Sequence, residues 1–191
     1  MSIKYQTYLP GDKKDKLSEI IRVNHSGELG AINIYKGQIA ATKHLLIIKK
    51  QPKLLEILTE MYKQEMVHFQ YFQSRVVEHK VRPSFFTPIW SQLGFVIGYI
   101  TGILGKKSAM TLTVGVETII GNHYKSQLEL IAKLHIQNDA LKEKISQFME
   151  EELEHLDIGI AHQAEKMCGY FYIRKTIEMA TKLAISIAKH I

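Results

Sequence analysis

Cysteine is nearly absent from this chain. Cys168 stands alone among 191 residues, so no internal disulfide can form and no thiolate-based zinc or iron–sulfur site can be assembled. That usage suits a reducing compartment. Proline is scarce, with four in all, and β-branched residues do not alternate with polar ones, so the period of a sheet is missing. The net charge of +6 has the sign that suits nucleic acid or an anionic membrane. Arg-rich stripes, zinc-finger spacing and RNA-binding aromatic motifs are lacking, so nucleic acid is not expected as a partner. The opening M-S-I-K-Y-Q-T-Y-L-P-G-D-K-K-D-K has no apolar core and carries Asp12 and Asp15, so no targeting segment is expected.

What is present is ordinary globular composition, 46% hydrophobic with 23% charged, enough for one domain with a sizeable core. Residues 1–14 read as a polar arm ending in a Pro10-Gly11 turn, and residues 15–191 as the domain. Helical periodicity runs from about Lys16 to Ile48. Lys49 to Lys53 breaks it, because Pro52 favours a first helical turn over an interior. Further helices are expected at about Leu54–Glu78, Ser108–His135, from the Asn138-Asp139 cap to Lys166, and at about Tyr172–His190. The last carries Ile173, Ile177, Ala180, Ala184 and Ile187 on one side and Lys175, Lys182 and Lys189 on another, a pattern for a lipid-facing or dimer surface. The fold class is all-α.

One segment stands apart. Pro83 to Gly105 is 23 residues without a charge, with Gly94, Gly98 and Gly102 forming a ridge that permits close helix packing. Two readings stand, a buried crossover helix and a membrane contact.

The chemistry lies in a repeat. Q-E-M-V-H holds Glu65 and His68, and E-E-E-L-E-H holds Glu152 and His155, each pair at i,i+3 on one helix face. Glu28 lies 37 residues before Glu65, and Glu117 lies 35 before Glu152. Tyr35 and Tyr124 each fall seven residues after their half's lone glutamate. Each glutamate interrupts an otherwise apolar stripe, such as Met61-Glu65-His68-Phe72 or Ile145-Phe148-Glu152-His155. A carboxylate so placed is costly unless paired or metal-bound, and four in two matched halves are not chance. Glu151 is spaced i,i+4 from His155, but Glu152 repeats the Glu65/His68 spacing and is preferred. Glu150, Glu151 and Glu154 are read either as groups that support the ligands from behind or as solvated charge, solvated for most of them. Four carboxylates and two imidazoles suit iron or manganese.

The arrangement resembles the ferritin-like di-metal carboxylate proteins, in which two helices give one Glu each and two give Glu-x-x-His. That pattern implies Glu65 and Glu152 as bridges between two ions, with Glu28 and His68 on one and Glu117 and His155 on the other. A shared site also means that Pro83–Gly105 cannot cross a bilayer once, since the halves would then be separated. It must be a crossover along the bundle or a helix in the interface. The expected architecture is a four-helix bundle with an apolar crossover helix and an extra C-terminal helix.

R-V-N-H-S-G-E-L-G-A, I-Y-K-G-Q, Q-E-M-V-H, G-V-E-T-I-I-G-N-H-Y and E-E-E-L-E-H-L-D-I-G resemble, in order from about Ile20 to Glu165, the demethoxyubiquinol hydroxylases of ubiquinone biosynthesis. The resemblance implies a di-iron monooxygenase that uses dioxygen to hydroxylate the ring of a polyprenylated demethoxyubiquinol. It implies the ligands Glu28, Glu65, His68, Glu117, Glu152 and His155, and a peripheral membrane protein in contact with lipid. The quinol ring is expected near Tyr124 and His123, with its tail along the glycine-ridged segment. Tyr124 is expected to hydrogen-bond the ligands, Tyr35 is open, and His123 is a candidate for proton handling. The short N-terminus suggests a bacterial member at the cytoplasmic face of the cell membrane, a mitochondrial inner-membrane position on the matrix side being the second reading. A homo-oligomer or a complex with other ubiquinone-biosynthesis proteins is compatible. Two rivals stand beside this: an iron-binding or ferroxidase protein without organic substrate, and a metal-free bundle whose Glu/His sets pair with Arg22, Arg75 or lysines.

Overall fold

The computed structural model describes residues 11–45 and 52–190. Most of the expected polar arm (1–10), with Pro10, and most of the Lys49–Lys53 connection fall outside those residues. Within them are α1 (Gly11–Leu45), α2 (Pro52–Glu78), α3 (Thr87–Ile103), α4 (Lys106–Lys133), α5 (Asp139–Ala161), a 3-10 turn (Ala164–Lys166) and α6 (Tyr170–His190). No strand occurs among the described residues.

Two boundaries correct the expectations. Residues 11–14 are helical rather than part of an arm. Asp12 sits in the first turn of α1, where a carboxylate complements the helix dipole, and the extra turn needs no apolar face because it is solvated. At the other extreme, α5 stops at Ala161 rather than running to Lys166. Gln163 adopts a left-handed conformation (φ 69°), which ends the helix, and a 3-10 turn follows. The expected cap of α5 is there: the Asn138 side chain accepts from the Leu141 amide at 3.1 Å.

The bundle consists of the hairpins α1/α2 and α4/α5, with α3 as the connection between them. α3 lies along α1, and its glycines explain how closely. A Cβ on Gly94 would stand 2.7 Å from the Gly30 carbonyl oxygen, one on Gly102 2.6 Å from the Ala41 Cβ, and one on Gly98 would collide with the Ile34 carbonyl oxygen. The opposite face of α3 is apolar and exposed, through Ile89, Val96, Ile100 and Ile103. α6 covers α4 and part of α1 with Ile177 and Ala184, leaving Phe171, Tyr172, Met179 and Leu183 exposed. Among the described residues, no helix is long and apolar enough to cross a membrane.

Two apolar cores fill the bundle. One packs Ile20, Ile21, Phe72, Val76, Ile131, Ile145 and Phe148. The other packs Tyr35, Leu54, Leu58, Met61, Met110 and Val114. In each of the four bundle helices the glutamates of the repeat fall between residues of the first core and residues of the second. The buried glutamates of the repeat thereby lie in a middle layer with an apolar core on either side.

Candidate metal centre

Each bundle helix brings one part of the repeat to that middle layer: Glu28 from α1, Glu65 and His68 from α2, Glu117 from α4, Glu152 and His155 from α5. None of the six is more than 3% exposed. Their atoms form two overlapping groups, each within 4.8 Å: Glu28, Glu65, His68 and Glu152 in one, Glu65, Glu117, Glu152 and His155 in the other. Glu65 and Glu152 belong to both.

Both imidazoles turn Nδ1 inward. His68 Nδ1 lies 3.1 Å from Glu152 Oε1, 3.6 Å from Glu28 Oε2 and 3.8 Å from Glu65 Oε2. His155 Nδ1 lies 3.2 Å from Glu65 Oε1 and 3.3 Å from Glu152 Oε2. These approaches are close but not aligned as hydrogen bonds. Both carboxylate oxygens of Glu65, Oε2 of Glu117, Oε2 of Glu152 and both Nδ1 atoms are buried with no hydrogen-bond partner. Six such atoms aimed at one another would be a heavy cost in a protein that gave them nothing to bind. A pair of divalent cations would satisfy them, and the oxygen and imidazole donors fit iron or manganese.

The electrostatics agree. Burial pushes the Glu65 and Glu117 carboxyls well above the usual range, and the neighbouring Glu152 charge pushes the same way. Burial opposes the charge on Glu152 too, but the imidazoles of His155 and His68 beside it win and hold it at about 2. Burial disfavours protonated His68, yet the flanking Glu152 and Glu28 outweigh it and raise the imidazole to about 12. Protons are thus shared among these groups in place of a stronger cation.

A ring of supports surrounds the six. Tyr124 Oη donates to Glu28 Oε1, and Tyr35 Oη donates to Glu117 Oε1 at 2.9 Å. Burial foremost, then the adjoining carboxylates, keeps both phenols neutral and therefore donors. The outward nitrogens of the histidines are also taken: His68 Nε2 donates to Glu151 Oε2 at 2.6 Å and His155 Nε2 to Gln64 Oε1 at 2.8 Å. Glu151 is therefore not simply solvated, whereas Glu150 and Glu154 are exposed. Gln64 escaped the sequence reading. The signal was its place: Gln64 and Glu151 each precede the shared glutamate of their helix by one residue.

His123 lies away from the six. The side-chain nitrogen Nε2 of Gln127 donates to His123 Nε2 at 2.8 Å, and Gln127 is locked in a reciprocal amide pair with Asn24, at 2.9 and 2.8 Å. Burial, with Lys189 nearby, lowers the His123 imidazole to about 4. No Arg or Lys joins the centre among the described residues. Arg22 donates to the carbonyls of Arg82 and Lys189, and Arg75 pairs with Glu78. The salt-bridge rival therefore lacks its cations.

Beside the centre is an apolar cavity of about 250 Å³ between α1, α3, α4 and α6, lined by residues including Gly27, Trp90, Gly94, Ile97, Val116 and Ala184. Gly27 and Val116 are the chain neighbours of Glu28 and Glu117, so the cavity runs along the ligand-bearing helices. Trp90 Nε1 is buried without a partner.

The family described as Ubiquinone biosynthesis protein COQ7 matches residues 15–188. The chain is 40% identical over 173 residues to the NADPH-dependent 3-demethoxyubiquinone 3-hydroxylase of Dictyostelium discoideum, covering 91% of this chain and 76% of that one. It is 35% identical over 176 residues to the Homo sapiens protein of the same name, covering 92% and 78%. To the 3-demethoxyubiquinol 3-hydroxylase of Rhodospirillum rubrum it is 34% identical over 185 residues, covering 96% and 83%.

Proposed function

The chain belongs to the ubiquinone biosynthesis protein COQ7 family, and on that premise we propose that it hydroxylates the ring of a polyprenylated demethoxyubiquinol at a centre of two iron ions. The observation that carries this reading is the convergence of six buried ligand-type groups in the layer between two apolar cores, with an apolar cavity alongside. Glu28 and His68 would hold one ion, Glu117 and His155 the other, and Glu65 and Glu152 both. The ions would supply the redox chemistry with dioxygen.

The protein's own residues do the rest. The two apolar cores keep water from the ligands, and the tyrosine hydroxyls hold Glu28 and Glu117 in place. The quinol tail fits the cavity between α1, α3, α4 and α6, where an apolar chain meets apolar walls. The ring would then reach the centre on the side of Tyr124. In the overall reaction one oxygen atom enters the ring and the other leaves as water, at the expense of two electrons and two protons. His123 stands on the α4 side of the bundle as a candidate for handling a proton.

The exposed faces of α3 and α6 would rest on lipid, which also delivers the substrate. The net positive charge favours an anionic surface. We place the protein peripherally, on the cytoplasmic face of a bacterial membrane. The ferroxidase alternative is disfavoured, because the relatives are named as hydroxylases and the cavity is apolar.

The test is to load the purified chain with ferrous iron, supply a short-chain demethoxyubiquinol analogue with NADPH, the reductant in several relatives' names, and admit dioxygen. Hydroxylated quinol is expected. Glu65→Gln and Glu152→Gln are expected to lose both bound iron and product, and retention of both by either variant would remove the assignment.

A further inference from the structure

The two halves of the centre differ in what holds their histidines. His68 Nε2 meets the Glu151 carboxylate at 2.6 Å, whereas His155 Nε2 meets the Gln64 amide oxygen at 2.8 Å. Both acceptors occupy the same place in the repeat, yet one is an anion and the other is neutral. The remaining supports match, since each terminal glutamate receives one tyrosine hydroxyl from the other half.

Glu151 is held in this role. Gln147 Nε2 donates to its Oε1 at 2.8 Å, and Lys144 Nζ donates to Gln147 Oε1 at 2.9 Å, so a chain along one face of α5 ends on His68. The Glu151 side chain is 23% exposed, while that of His68 is fully buried. The carboxylate therefore stands at the edge of the bundle, with one oxygen on a buried ring and the other on Gln147.

With Nδ1 turned to the centre, each imidazole must carry its proton on Nε2 to bind a metal. A carboxylate that accepts this proton makes the ring a more basic ligand than an amide does, and it adds one negative charge close behind that position. We infer that the two metal positions are unequal: the one formed with Glu28 and His68 binds its ion more tightly and fills first, and the one formed with Glu117 and His155 fills second. This rests on the reading of the six residues as a two-metal centre.

The test is anaerobic titration of the metal-free full chain with Co(II), read by calorimetry and by the visible absorption of bound cobalt. Two steps are expected, separated by roughly tenfold or more in affinity. Glu151→Gln should weaken the first step by about ten- to hundredfold and merge the two. Gln64→Glu combined with Glu151→Gln moves the carboxylate to the other histidine, and the two steps should return. Adding His68→Ala should then spare the tight step in the swapped chain while abolishing it in the otherwise wild-type one. A merely structural role for Glu151 predicts no such recovery. Two ions bound alike by the wild type, steps unmoved by Glu151→Gln, or a swap without recovery would each overturn the inference and leave the metal centre standing. No cobalt uptake by the wild-type chain would instead overturn the metal centre itself.

Discussion

Tyr35 and Glu117, 82 residues apart and on different hairpins, are joined by a 2.9 Å hydrogen bond in the buried layer of the bundle. Tyr124 does the same for Glu28 in the reverse sense. Each half of the repeat thus supplies the hydroxyl that steadies the other half's terminal carboxylate. The crossing ties α1 to α4 on both sides of the centre, so the halves must dock before either glutamate is positioned.

Tyr35→Phe should leave Glu117 buried but remove its donor. Loss of one buried hydrogen bond to a carboxylate costs about 1–3 kcal/mol. In this protein the cost should fall on the metal-loaded state, because Glu117 is then free to turn away from the ion it holds. Calorimetric titration with Fe(II) under nitrogen is expected to show metal affinity reduced by roughly tenfold, with the helical circular dichroism of the metal-free chain unchanged.

The six ligand-type residues were legible in the sequence because a carboxylate in an apolar stripe is conspicuous and the stripe recurs. Helix periodicity fixes which face Glu65 and His68 share. It says nothing about which residue of another helix meets that face. The contacts of His68 with Glu151 and of His155 with Gln64 span 83 and 91 residues and depend on how α2 and α5 are set against each other. Glu151 looked like one more solvated charge for that reason. Likewise His123 is the chain neighbour of Tyr124 but turns to Gln127, because successive residues of a helix point about 100° apart. The end of α5 was hidden for another reason: Gln163 is neither glycine nor proline, so nothing announces its left-handed turn.

Metal should stabilise the folded chain. A ligand bound only by the native state adds about 2.7 kcal/mol at a hundredfold excess over its dissociation constant. Ferrous iron under nitrogen is expected to raise the unfolding midpoint, and a chelator to return it to the metal-free value. Glu117→Gln should blunt the response. In the metal-free state it should cost little, because burial and the adjacent Glu152 already drive Glu117 toward its neutral form. Differential scanning calorimetry with and without iron separates the two effects.

Gly98 should tolerate no side chain. A Cβ there meets the carbonyl oxygen of Ile34, which is backbone and cannot step aside. Gly98→Ala is expected to destabilise by about 1–3 kcal/mol, as overpacking does. Gly30→Ala, where nothing lies within 4 Å of the added Cβ, is expected to be neutral or stabilising by about 0.5–1 kcal/mol. Urea unfolding of the two variants against the wild type gives the comparison.

If α3 rests on lipid, its exposed apolar face should govern membrane binding. Ile100 is 52% exposed and Val96 51%. Ile100→Lys combined with Val96→Ser should reduce sedimentation with anionic phospholipid vesicles severalfold, while metal loading is retained, since Gly94, Gly98 and Gly102 still seat the helix on α1. Unchanged vesicle binding would move the lipid contact elsewhere.

His123 gives the fold a pH dependence whose sign is fixed. Burial, assisted by Lys189, lowers its folded-state imidazole from 6.5 to about 4. Below pH 6.5 the unfolded chain takes up a proton that the folded chain refuses, so stability falls as the pH drops toward 4 and this contribution then levels off. The loss is at most about 3.5 kcal/mol, given about 1.4 kcal/mol for each tenfold drop in proton affinity, and less where solvent reaches the ring. His123→Gln keeps a polar group against Gln127 but cannot titrate. Urea unfolding between pH 7.5 and pH 5 is expected to show a smaller decline for this variant than for the wild type. Parallel declines would mean that the histidine is as free to take a proton in the folded chain as in the unfolded one.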